Sequence, residues 1–151
     1  MPVRPQDADP GWLPTLASYA LGLAGVVHTL LALQFLALWF LAPVHWTFVV
    51  ITLGAGALSI AVAWRLGQGR TFAAVVGTLL APMMALLSTG LTAHAIYNGA
   101  FALYMLFAPP LAMLATLLVP GSIVSCRRAA KARAELAATY KSGPFASVLD
   151  R

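Results

Sequence analysis

Apolar positions along this chain fall in long unbroken runs, without the period that would leave a helix one polar face. The first run extends from Trp12 to Ala42 with no formal charge, and Asp9-Pro10 ahead of it is a helix-start signal. A second run goes from Val44 to Trp64, a third from Thr71 to about Ala95, and a fourth from about Ala100 to Ser125. The punctuation between them is short: Ala42-Pro43, the polar turn Leu66–Arg70, and Tyr97-Asn98-Gly99. Each run has the roughly 20 residues that a helix needs to cross a bilayer. The pattern predicts helices over about 13–42, 44–65, 71–96 and 100–126. Short turns make sequential helices antiparallel neighbours. The expected fold is therefore an all-α integral membrane bundle of four transmembrane helices, up-down-up-down. Residues 1–11 form a short tail, 12–126 the membrane domain, and 127–151 a basic tail whose start, to about Tyr140, continues as a helix.

Composition supports this: of 151 residues, 61% are hydrophobic and 9% charged, which excludes both an ordinary soluble domain and a disordered chain. Where the charges lie adds more. Arg4, Arg65, Arg70, Arg127, Arg128, Lys131, Arg133, Lys141 and Arg151 all fall on one side of the four-span arrangement, together with Asp7, Asp9, Glu135 and Asp150. The positive-inside rule makes that side cytoplasmic, with both termini inside. Trp12 and Trp64 then stand at the inner boundary, Trp39 and Trp46 at the outer one, as an aromatic belt requires. The expected location is a bacterial cytoplasmic (inner) membrane, the Ala/Leu-rich composition suggesting a high-GC genome. The first run is too long for the core of a cleaved signal peptide. Cys126, the single cysteine, lies at the inner end of the fourth helix, where a small buried residue is expected.

Helices associate in lipid through small residues that let backbones approach. Such stripes are Ser18, Gly22, Gly25, Thr29 and Ala32 on the first helix, and Gly54, Ala57 and Ala61 on the second. The third carries Ala74, Gly77, Ala81, Ala85, Ser88 and Thr92, and the fourth Ala108, Ala112 and Ala115. Pro82 and the Pro109-Pro110 pair are expected to kink the third and fourth helices near mid-membrane.

The chemistry on offer is sparse. No acidic or strongly basic residue falls in the membrane interior, Arg65 standing at the inner end of the second span, so charge-coupled transport has no carboxylate to run on. No nucleophile–base constellation, metal-binding cysteine cluster or phosphate loop occurs; no catalytic residue, cofactor or metal is expected. The polar residues in or at the edge of the membrane that invite a role are His28, Gln34, His45, Ser88, Thr92 and His94. An ionisable side chain at the depth of His28 is a functional-site hypothesis, set against a neutral ring bonded to Ser88 or Thr89 across the interface. Gln34 is expected to reach a neighbouring helix or subunit. Arg127, Arg128, Lys131 and Arg133 form a collar for anionic headgroups or a partner; nucleic acid is not implied.

Three functions are compatible with this. The leading expectation is a non-catalytic membrane subunit or scaffold that assembles with itself or with a larger complex. The second is a small channel or transporter for a neutral or lipidic solute, gated at the proline kinks and His28. The third is a haem- or quinone-binding redox subunit, which the unequal depths of His28 and His94 count against.

Overall fold

The computed structural model describes residues 4–38, 46–97 and 103–142. It is all-helical: a short 3-10 turn Pro5–Ala8, then α1 (Trp12–Leu38), α2 (Trp46–Gly67), α3 (Thr71–Tyr97), a second 3-10 turn Leu103–Leu106, and α4 (Ala108–Ser142). All four long helices are apolar and long enough to cross a membrane.

The helices form a ring. α1 packs most extensively on α2 and α3 on α4; α1 also lies along α4, whereas α2 and α3 touch least of the neighbouring pairs. Paired positions run in opposite order along each packed pair. Ser18, Gly22 and Gly25 of α1 meet Gly67, Ala63 and Gly56 of α2, and Gly77 and Thr92 of α3 meet Val119 and the segment at Met105. The small stripes of α1, α3 and α4 face inward. Ala74, Ala81, Ala112 and Ala115 are fully enclosed, together with Leu21, Val119 and Cys126. Large apolar side chains such as Leu23, Leu79, Leu86 and Leu117 point outward, the inverse of a soluble bundle and the surface that lipid tolerates.

The tightest crossing is between α1 and α2. A Cβ on Gly56 would stand 2.8 Å from the Gly25 carbonyl oxygen and 2.6 Å from Thr29 Oγ1, and one on Gly25 would stand 2.8 Å from the Gly56 oxygen. Only hydrogen fits at either Cα, so the two backbones touch directly.

The turn joining α2 to α3 follows from its glycine. Gly69 takes a φ of 70°, and the last turn of α2 closes with Gly69 N–H donating to Leu66 O and Arg70 N–H to Arg65 O. These two bonds satisfy carbonyls that the helix end leaves unpaired.

Three expectations need correction. Pro109 and Pro110 do not kink the fourth helix; they occupy its first turn, because α4 starts at Ala108 and not near residue 100. A first-turn proline lacks an N–H that the helix would not have used, and its fixed φ suits the start. The proline inside α4 is Pro120, while Pro82 lies inside α3 as expected. The stripe Gly54, Ala57 and Ala61 does not face the bundle: all three are exposed, and α2 packs through Gly56, Ser59 and Ala63.

Candidate functional site

His28 lies where α1, α3 and α4 converge, 1% exposed. It borders a small cavity with Val27, Leu31, Ser88, Leu91, Thr92, Met105 and Ala108, enclosing about 10 Å³ of space for the centre of a water molecule. Three residues predicted from sequence, His28, Ser88 and Thr92, are therefore brought together. Spacing explains why. Ser88 and Thr92 are one turn apart on the inward face of α3, and Ala108 leaves room for the imidazole where α4 begins.

The hydrogen bonds give this site a polarity. His28 Nδ1 is 2.7 Å from Ala24 O, one turn back on its own helix. A carbonyl oxygen only accepts, so Nδ1 carries the proton. Among the described residues the lining holds no carboxylate to pair with an imidazolium, and in the neutral ring Nε2 is then a bare lone pair. Nε2 is buried and has no protein partner. The expected partner, a hydroxyl of Ser88 or Thr89, does not supply one. Ser88 Oγ donates to Met84 O at 2.6 Å and Thr89 Oγ1 to Ala85 O at 2.7 Å, both along α3 itself. Thr92 Oγ1 donates to Met105 O at 3.3 Å and so ties α3 to the turn ahead of α4. The hydroxyl protons of Ser88, Thr89 and Thr92 are thus each committed to a carbonyl, which leaves these oxygens as acceptors. An unpartnered buried acceptor costs about 1–3 kcal/mol.

The other predicted residues lie elsewhere. Gln34 is two turns further along α1, half-buried, with its Oε1 enclosed and unpartnered. His94 is exposed on the opposite side of α3, at the rim of a shallow apolar groove that also takes in Phe48, Leu86, Leu87, Gly90 and Leu91. His45 falls outside the described residues. No group of three or more His, Cys, Asp or Glu is placed to hold a metal among the described residues.

The basic collar divides in two. Arg127, Arg128 and Lys131 are exposed on α4, Lys131 with Glu135 at 3.8 Å one turn on. Arg133 is exposed as well, and its guanidinium also bonds within the chain. Its Nε donates to Ala8 O at 3.1 Å and its NH1 to Gln68 O at 3.3 Å. One guanidinium therefore holds the amino-terminal turn, the α2–α3 turn and α4 together. Its planar fork presents separate N–H groups to the two carbonyls at once, in a fixed geometry that a lysine's single ammonium does not have.

Two features escaped sequence reasoning. Ser59 reads from sequence as a membrane-buried serine able to bond to its own helix backbone; it is fully buried on α2, but its hydroxyl has no partner. The outward turn of Gly54, Ala57 and Ala61 did have a signal: one turn beyond Ala61 the same face reaches Arg65, which cannot be buried unpaired. Comparison with protein-family models, curated proteins and solved structures finds no match for this chain.

Proposed function

We propose that this is a non-catalytic, multi-pass protein of a bacterial cytoplasmic membrane that acts as a self-assembling scaffold or as a subunit of a larger membrane complex. Its helices cross up-down-up-down, with both termini cytoplasmic, and the bundle packs against further helices in the bilayer. The observation that carries this reading is the outer face of α2. Gly54, Ala57 and Ala61 recur there at helical spacing, all exposed, and a Cβ at Gly54 would meet nothing within 4 Å. Small residues give no advantage against lipid; they gain from a second helix that comes close. At the charged end, Arg127, Arg128 and Lys131 lie on a helix continuous with the bundle. There they attract anionic headgroups at about 1 kcal/mol per charge.

The packed interior favours this over the rivals. The cavity at His28, with about 10 Å³ for a water centre among the described residues, is far smaller than a porphyrin or quinone ring. The test is disulfide cross-linking in native membranes. A cysteine at Ala61 should capture a neighbouring α2 or a partner helix, while one at Leu79, also exposed but on α3, should not. Gly54→Leu should abolish the capture. Equal cross-linking at both positions, or none at Ala61, rejects assembly through α2.

A further inference from the structure

We propose that the cavity between α1, α3 and α4 is a site for one water molecule, bound as a double donor: one hydrogen to His28 Nε2, the other to Ser88 Oγ or Thr92 Oγ1. The argument rests on size and on the direction of the surrounding hydrogen bonds.

The cavity offers about 10 Å³ to a water centre, the smallest volume that holds one water. A buried water also needs two to four polar partners. Three line this cavity, and all present acceptors. Ala24 O holds the proton of His28 on Nδ1, which leaves Nε2 with its lone pair. Met84 O takes the hydrogen of Ser88, and Met105 O takes that of Thr92. Acceptors cannot satisfy one another. The group that completes them must bring at least two hydrogens on one small atom and must be uncharged, because the described lining residues hold no counter-charge. Water meets each condition. Among the described residues the remaining wall, Val27, Leu31, Leu91, Met105 and Ala108, supplies no further hydrogen-bonding side chain, and the volume suits a single molecule. Each partner sits on a different element from the next or one turn along it, so this water joins α1 to α3 at a point where no direct side-chain bond does.

The experiment is solid-state NMR of ¹⁵N-histidine-labelled full-length protein in lipid bilayers, with the His28→Asn spectrum identifying the His28 resonances. The expected result is an Nδ1-protonated tautomer whose Nε2 signal is shifted as for an acceptor, with magnetisation reaching the ring from water. An Nε2-protonated tautomer overturns the proposal, as does an Nδ1-protonated ring that receives nothing from water. A Ser88→Ala, Thr92→Val double variant sharpens it. The transfer from water should fall several-fold while the Nδ1 tautomer persists; unchanged transfer refutes the hydroxyls as the second acceptor. Should that variant not fold, the wild-type spectrum alone decides.

Discussion

α2 has two faces of nearly the same composition and opposite fates. Inward it presents Gly56, Ser59 and Ala63; outward, Gly54, Ala57 and Ala61. A methyl added at Gly56 would collide with the Gly25 carbonyl and the Thr29 hydroxyl, whereas one at Gly54 meets nothing within 4 Å. The difference teaches that smallness permits close approach without choosing the partner. Within the chain, α1 already takes one face of α2. The other keeps the same capacity for close packing with none of the described residues laid on it, and that leftover capacity is the basis of the assembly reading.

The largest effect should come from filling the inner face. Gly56→Leu is expected to lower unfolding stability in lipid nanodiscs by about 3 kcal/mol or more, since backbone on both sides must give way. If the variant unfolds like wild type, the α1–α2 crossing is not the tight contact described. One residue along, Ala57→Leu should leave unfolding within about 0.5 kcal/mol of wild type. It should also weaken association roughly tenfold, about 1.4 kcal/mol, in a dilution series of fluorescently labelled protein in bilayers. Loss of stability without loss of association would reverse the assignment of the two faces. Smaller again, Ser59→Ala should stabilise the bundle by about 1 kcal/mol, because it removes a buried hydroxyl that bonds to nothing and leaves no partner behind; a destabilised variant would mean that the hydroxyl has an unseen partner. Last, Arg65 lies over the Trp64 ring at 4.8 Å at the end of the outward face. Arg65→Gln should cost about 0.5 kcal/mol in unfolding, a check that the charged end of this face contributes little.

Much of the architecture was legible because it depends on local composition. Four uncharged runs interrupted by Pro43, Leu66–Arg70 and Asn98-Gly99 foretell four apolar helices. Stripes on α1, α3 and α4 foretell which sides turn inward. What stayed hidden depends on contacts distant in sequence or on ambiguous runs. Gly54-Ala-Gly-Ala57 offers small residues to both sides of α2, and only the partner decides between them. Pro109-Pro110 reads equally as a kink or a start until the preceding residues are seen to leave the helix. For the site, His28, Ser88 and Thr92 were nameable singly, but the direction of each proton was not. Each hydroxyl turned back to its own helix or to a neighbouring carbonyl, an option that every buried serine and threonine has. Arg133 looked like its basic neighbours because its partners, Ala8 and Gln68, contribute backbone carbonyls, which no side-chain pattern reveals.

That guanidinium also bears on how the molecule is made. A nascent chain emerges amino terminus first, so α1 and α2 can pair through Gly25 and Gly56 while α4 is still in the ribosome. The bonds to Ala8 and Gln68 can form only after residue 133 has been synthesised, so the strap across the amino-terminal turn and the α2–α3 turn is among the last tertiary contacts this chain can make.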